Sequence, residues 1–310
     1  MTQLTLHLVS NGLTNVMELT DVRLPTDPVP LQQHPNYAAT LDLLGAGVVS
    51  HGIAHGGETI GHIVMTRRKF GPVCPHGLAT RGPVWAAGTS PDDRIAALRM
   101  LTRDGVQVIN AEARDARVLR AAGFRQIVTH ATIAELDLTP RHDILSARLD
   151  QKWRNRLVQA EDTGLCVTTA PLCPTPAQWL FAQDAAQKKR RVYRTWPAAL
   201  TCAFAMANPN ATMLATASHK GAPVAAILIL LHGTAATYHI GVTTDDGRAL
   251  SAHNLLLWNA VLDLRGRGVT RLELGTLDTA RAPGLARFKL ATGAAARRLG
   301  GTWLRLPFGL

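Results

Sequence analysis

The stretch TYHIGVTTDDGRALSAHNLLLWNAVLDLRGRGVTRLELGTLDTARAPGLARFKLATG, Thr237 to Gly293, decides the fold. It reads as strand, polar loop, helix, strand, loop, helix. Near its end a Phe-Lys pair, Phe288-Lys289, follows the Gly284-Leu285 entry and precedes Gly293. Upstream, Thr212 to Ser218, Pro223 to Leu231 and Ala235 to Val242 read as strands, the first two joined around His219-Lys-Gly-Ala222. Antiparallel strands therefore lead into an α/β segment.

Further back, Pro197 to Ala207 reads as a helix and Cys166 to Ala170 as a short strand. Thr175 to Asp184 is a helix capped by Thr175 with Pro176 first, since proline tolerates the first helical position. Lys188-Lys-Arg-Arg-Val-Tyr-Arg194, followed by Trp196, is the densest basic run. Guanidiniums chelate phosphate and aromatics stack on sugar or base, so Arg190, Arg191 and Tyr193 are candidate anion-binding residues; the bland alternative is a solvated helix end. His142 to Thr163 carries Leu145, Leu149, Trp153, Leu157 and Ala160 at helical spacing, and reads as one long linking helix. Trp153 belongs to the core on this pattern. The domain boundary falls near residue 140, giving units 1–140 and 141–310.

The first unit repeats the order loosely. Leu4 to Val9 alternates like a strand, and a Pro-rich connection leads to a helix from Asn36 to Leu44. Val48 to Ala54 and Thr59 to Met65 form a hairpin around a glycine turn. Asp92 to Arg103 is a helix with Ser90 as cap, and Val106 to Asn110 is a strand. A short helix ending Ala-Gly-Phe124 precedes a strand from Gln126 to Leu138. His51, His55 and His62 read as histidines of a surface hairpin, because no cysteine or acidic ligand cluster accompanies them.

Composition bounds the rest. The 310 residues are 46% hydrophobic, enough for about two domains. No apolar run reaches the roughly 18–20 residues of a membrane span, and the N-terminus lacks a secretory pattern. Four cysteines form no CxxC pair, so a reduced, cytoplasmic chain is expected. Residues 1–150 hold 14 Lys/Arg against 14 Asp/Glu, and residues 151–310 hold 19 against 8. The whole excess of +11 thus lies in the second half, where it suggests a surface that meets polyanions (nucleic acid, nucleotide phosphates or a membrane face); the bland alternative is arginine on solvated faces.

Arg81-Gly-Pro-Val-Trp85, Trp153-Arg-Asn-Arg-Leu157, Tyr238-His-Ile-Gly241, Leu255-Leu-Leu-Trp258, Leu272-Glu-Leu-Gly275 and Gly284-Leu-Ala-Arg-Phe-Lys289 with Gly293 together resemble the FemABX aminoacyltransferases. These, with related FemAB-type acetyltransferases, lie within the Gcn5-related N-acetyltransferase (GNAT) superfamily. The resemblance runs from about residue 30 to the C-terminus. It implies an α/β (α+β) chain of tandem GNAT domains, each a mixed, mostly antiparallel sheet flanked by helices, with the catalytic half second. It also implies transfer of an aminoacyl group from aminoacyl-tRNA to an amine, with a peptidoglycan precursor as acceptor; the alternatives are acyl-CoA with a small amine, or RNA or nucleotide binding without catalysis. No tightly bound cofactor is implied.

The Phe-Lys pair of that family matches Phe288-Lys289, where the lysine stabilises an oxyanion. The chemistry agrees, because attack of an amine on an ester carbonyl builds negative charge that a placed ammonium offsets. For the base, Tyr238, Glu273 and Asp278 are candidates. Arg81, Trp85, Arg248 and His253 join the basic run as candidate substrate-binding residues. Two departures are visible. Family members that bind nucleotide-sugar precursors carry a lysine four residues beyond an aromatic on the early helix; here Tyr37 is followed by Leu41. CoA users carry an Arg/Gln-x-x-Gly-x-Gly/Ala loop whose bare amides hold pyrophosphate; the equivalent Arg248-to-His253 keeps the arginine but neither glycine.

Overall fold

A computed structural model describes residues 16–21, 27–69, 75–173, 177–191 and 196–305. The expected strand Leu4 to Val9, the cap Thr175-Pro176, Cys74 and Tyr193 lie outside the described residues.

The elements in chain order are β1 (Met17–Thr20), α1 (Pro35–Leu43), β2 (Val48–His55), β3 (Glu58–Lys69), β4 (Pro75–Thr80), β5 (Val84–Trp85), α2 (Pro91–Arg103), β6 (Val106–Ala111), α3 (Ala116–Ala121), β7 (Arg125–Val128), β8 (Thr132–Asp137), α4 (His142–Ala147), α5 (Gln151–Glu161) and β9 (Cys166–Ala170). They continue with α6 (Gln178–Arg191), α7 (Ala198–Ala207), β10 (Thr212–His219), β11 (Ala222–His232), β12 (Ala235–Thr243), α8 (Asp245–Ala249), α9 (Ala252–Gly266), β13 (Arg271–Thr276), α10 (Pro283–Leu290), β14 (Ala295–Arg298) and β15 (Gly301–Leu304).

Two mixed sheets result. One runs β1-β2-β3-β4-β6-β15-β7, with β5 on β3; the other runs β14-β8-β13-β12-β11-β10-β9. Each holds one parallel pair, β4 with β6 and β12 with β13, and is otherwise antiparallel. The mixed, mostly antiparallel sheets flanked by helices are the expected fold class.

The units 1–140 and 141–310 are a proposal about folding units, and the sheets exchange a strand across that point. β8, from before residue 140, sits between β13 and β14 of the second sheet; β15, from the end of the chain, sits between β6 and β7 of the first. The stretch Gln126 to Leu138 is therefore two strands in different sheets, not one. The turn after Val128 sends β7 to pair with β15 and β8 to pair with β13.

The expected long helix is likewise two. The apolar stripe continues, and Leu145, Leu149, Trp153, Leu157 and Ala160 are all buried. The break comes from Asp150, whose carboxylate accepts from the Lys152 and Trp153 amides and caps α5. Trp153 is core, 4% exposed. Ser90 caps α2 as its side chain accepts from the Asp93 amide. The three hairpin histidines go to separate partners: His51 lies 3.3 Å from Asp104, His55 2.8 Å from Asp93, and His62 Nε2 3.1 Å from the Gln33 carbonyl. Helices α5 and α9 pack on the second sheet around Leu256, Leu264, Ile227 and Leu272, a core that also contains Trp258. Among the described residues no helix is long and apolar enough to cross a membrane.

Candidate active site

The two parallel pairs behave differently, and the difference makes the site. In the first sheet the pairing of β4 with β6 runs to Thr80↔Asn110, the last residue of β4. In the second, β12 and β13 pair only at Ala235↔Arg271, Ala236↔Leu272 and Thr237↔Glu273. Beyond that point both strands carry an extra residue. Against β11 the register of β12 jumps from Tyr238 to Ile240, leaving His239 over. Against β8 the register of β13 jumps from Glu273 to Gly275, leaving Leu274 over. A bulge bends its own strand and raises local twist. Two bulges just past the last shared pair end the pairing and leave a wedge between the strands.

Sequence-expected residues converge on this wedge. Tyr238 is the first residue of β12 past the apex, and its Oη lies 2.6 Å from His253 Nε2 at the start of α9. Burial pushes His253 down to about 4, so its imidazole is neutral near pH 7, and its Nδ1 has no hydrogen-bond partner among the described residues. The rings of His253 and Phe288 meet edge to face at 5.7 Å, and Phe288 also packs on Trp153. Next to Phe288, Lys289 is 8% exposed, and its Nζ donates to the Thr276 carbonyl at 3.0 Å. Burial lowers Lys289 to about 8, although Glu273 pulls the other way, so an ammonium persists at neutral pH. Helix α10 thus delivers a charged donor to the open end of β13.

Glycines make room for this arrangement. A methyl at Gly241 would sit 1.6 Å from Tyr238 Oη and 3.0 Å from the His253 ring. Gly275 has φ +81° and directs its empty side-chain position at Lys289 Nζ, 3.6 Å away.

Residues 146–290 match a family model described as an acetyltransferase (GNAT) domain. The crystal structure of FemX superposes with a TM-score of 0.72 over 88% of this chain and 91% of that one, at 13% identity. The C-terminal domain of a lysylphosphatidylglycerol synthetase from Agrobacterium fabrum, designated putative, gives a TM-score of 0.55 over 89% of both chains at 14% identity. A tandem GNAT protein from the clavulanic acid biosynthesis pathway gives 0.50 over 93% and 98% at 14% identity. The chain carries a GNAT acyltransferase domain and has a FemX-like fold. No curated protein matches its sequence significantly.

The other sequence-expected residues of this FemABX-like chain lie elsewhere, or are already engaged. Arg81 is 7% exposed; it donates to Glu112 and, through both terminal nitrogens, to Glu273 at 3.1 and 3.0 Å. Burial opposes its charge, but Glu273 and Glu112 outweigh burial and hold it protonated. Arg81 therefore reaches the wedge only through Glu273. Trp85 packs with the first core, under the Arg94 guanidinium at 6.0 Å. Arg190 and Arg191 lie at the C-terminal end of α6. Within the basic run, Lys188 is committed to Asp184 at 2.5 Å and to the Trp196 carbonyl at 3.1 Å. Asp278 accepts from the amides of Ala280 and Arg281 and so closes a turn.

The Arg248-to-His253 stretch, matched above to the CoA-user loop, begins inside α8. Thr244 accepts from the Gly247 amide, and Gly247 is packed against the Val224 carbonyl. The Ser251 amide bonds the Arg248 carbonyl, and Ala252 is fully buried. Arg248 is tied to Asp245 and to the Thr243 carbonyl at 3.0 Å, while Asp245 and Asp246 occupy the first turn. Amides spent inside a helical turn, behind two carboxylates, do not fit a pyrophosphate. The aromatic Tyr37 of α1 stacks at 5.5 Å on Trp196, and Leu41 is buried, so this helix offers no phosphate clamp at either position.

Sequence reading gave no role to two residues of the Tyr238-His-Ile-Gly241 motif. Gly241 stands in that motif, but its service as room for the Tyr238 hydroxyl shows only in the fold. His239 was given no role either; as the bulged residue it bonds Thr201 Oγ1 at 2.8 Å, and burial drops it to about 4.

Proposed function

We propose that the chain transfers an aminoacyl group from aminoacyl-tRNA to an amine acceptor, with Lys289 as the oxyanion donor. The observation that carries this reading is the Lys289 ammonium, fixed by the Thr276 carbonyl at the open end of the β12–β13 wedge. The amine lone pair attacks the ester carbonyl, and the oxygen becomes an alkoxide beside that ammonium. A preorganised donor there is worth roughly 3–4 kcal/mol of barrier. The carbon–oxygen bond to the ribose then breaks, the ribose oxygen takes a proton, and the nitrogen gives one up. Tyr238 Oη is the proposed carrier of that proton. His253, neutral and buried, orients the phenol, and Phe288 closes the apolar wall.

The α8 turn in place of a pyrophosphate cradle favours a donor other than CoA, and the surplus of 19 cations over 8 carboxylates in residues 151–310 suits tRNA. Arg190, Arg191 and Tyr193 are the proposed phosphate-side contacts. A peptidoglycan precursor is the acceptor the FemABX resemblance suggests, and the absent lysine at Leu41 requires it to be held without that clamp.

The test is incubation with charged tRNA and, separately, acetyl-CoA, scored by mass change on a pool of amines and cell-wall precursors. Transfer from charged tRNA, with affinity falling steeply as salt rises, supports the reading. Transfer from acetyl-CoA with flat salt dependence overturns the donor assignment. Unchanged transfer by a folded Lys289→Ala variant overturns the role of Lys289.

A further inference from the structure

The two sheets meet through a file of buried and part-buried charges. Glu273 on β13 stands directly opposite Glu135 on β8, a cross-strand pair of like charges that needs cations between and around it. Arg297 on β14 supplies one, with Nε 3.0 Å from Glu135 and a terminal nitrogen 2.6 Å from Glu112. Arg271 adds another, 3.8 Å from Glu135. Arg81, just after β4, joins Glu112 to Glu273. The charges alternate as Arg271, Glu135, Arg297, Glu112, Arg81, Glu273, and the next cation is Lys289. Among the described residues the file holds four cations and three carboxylates. It stands one negative charge short, at the end where an oxyanion would form.

Glu273 is held on both sides of this file. The planar Arg81 fork takes both of its oxygens, which fixes the carboxylate in rotation as well as position. Lys289 Nζ meets β13 at the Thr276 carbonyl and over Gly275, two residues from Glu273, whose charge acts on it from the same strand. Beyond Phe288 stand the neutral His253 of α9 and the Tyr238 hydroxyl of β12, and on α10 itself Arg287 is exposed. Of these groups, Glu273 is the one whose charge favours the ammonium.

We infer that Glu273 is a positioning residue of the acyl-transfer site: its carboxylate, gripped by Arg81 from the first sheet, is the counter-charge that keeps an ammonium at Lys289. The inference rests on the reading of Lys289 as the oxyanion donor. It explains why an arginine contributed by the first sheet, which has no open wedge of its own, is buried against the second. A lysine buried without this carboxylate holds its proton less firmly, and a neutral amine gives an alkoxide no compensating charge.

The chain has six lysines, so selective 13Cε labelling gives a spectrum in which Lys289 is assigned by its loss in Lys289→Arg. Titration of that signal in the full chain reports the Lys289 midpoint without any donor or acceptor. Wild type is expected to titrate near 8. Glu273→Gln keeps a hydrogen-bond acceptor for Arg81 while removing the charge. It is expected to lower the midpoint by at least about one unit, a tenfold shift toward the neutral amine. Glu273→Asp, which withdraws the charge from Lys289 but keeps it, is expected to fall between the two and serves alone if Glu273→Gln does not fold. An unchanged midpoint in a folded Glu273 variant overturns the inference. The pH profile of transfer is expected to move with the midpoint. If the midpoint moves while Lys289→Met transfers normally, the electrostatic link stands and the reading of Lys289 as oxyanion donor fails.

Discussion

The Tyr238 hydroxyl sits 2.6 Å from His253 Nε2 because residue 241, the strand position next to Ile240, has no side chain. The phenol folds back along its own strand over Gly241, into space a methyl would fill at 1.6 Å. Gly241→Ala is therefore expected to expel Tyr238 from the wedge. Overpacking of this kind costs about 1–3 kcal/mol, and transfer should drop by at least the loss seen in Tyr238→Phe. Because both changes disable one hydroxyl, the double variant should transfer no worse than Gly241→Ala alone. Kinetics on the four-member cycle, with denaturation midpoints, check this; additive losses would separate Gly241 from Tyr238.

Lys289 is a group whose removal should raise stability while abolishing transfer. Its pKa falls from 10.5 unfolded to about 8 folded, mainly by burial. Between those values the unfolded chain holds more protons, so stability rises with pH through about 8 to 10.5 and the penalty is fully present below 8. That penalty corresponds to roughly 3 kcal/mol. Lys289→Met is expected to recover about 1–3 kcal/mol at pH 7, offset by the carbonyl of Thr276 left without its donor. Urea denaturation at pH 7 and 10 measures it, and the gap between variant and wild type should shrink at the higher pH. In wild type, transfer should decline as pH rises through 8.

Arg81 should matter to stability more than a surface arginine. Its removal takes from Glu273 its two-pronged partner and leaves Glu112 with Arg297 alone, both carboxylates having side chains 14% exposed. Breaking one partner of a buried ion pair costs about 3–5 kcal/mol. Arg81→Met is expected to lose that much in equilibrium unfolding. Arg248→Met, whose exposed partner Asp245 is 94% accessible, is expected to change stability by under about 1 kcal/mol.

Buried neutral histidines give the fold an acid limit. Burial lowers His34, His239 and His253 to about 4, and lowers His62 and His232 as well. With folded values below the unfolded 6.5, the unfolded chain binds more protons between about 4 and 6.5. Stability is therefore complete above 6.5 and falls as pH drops through that window, by up to about 1.4 kcal/mol per unit for each group. Denaturation midpoints at constant m-value from pH 7 to 4 should show the slope, and His239→Gln should reduce it.

The wedge was legible as parts and illegible as a place. Phe288-Lys289 and Tyr238 could be singled out because they sit in a readable strand–helix–strand–helix order. Their meeting depends on two bulges, at His239 and Leu274, that nothing in the local residues announces. Register is set by partners across the sheet, not by the strand itself. The same holds for Arg81, whose sequence neighbourhood suggested a substrate contact. Its carboxylate partners belong to other strands, Glu112 just after β6 and Glu273 within β13, the latter 192 residues away. The stripe through Leu145 and Trp153 suggested one helix because periodicity continues across Asp150, and the local cap prevailed.

What the sequence determined alone was local and periodic: which segments alternate as strands, which carry an apolar helical face, where Ser90 caps, and that the cationic surplus lies in the second half. Those follow from interactions within a few residues of chain. Only the tertiary structure decided that β8 and β15 change sheets, that β12 and β13 part after three pairs, and that Arg81 grips Glu273 beside Lys289. Each of those joins residues far apart in the chain, and burial, which gives such contacts their strength, exists only once the sheets have closed on one another.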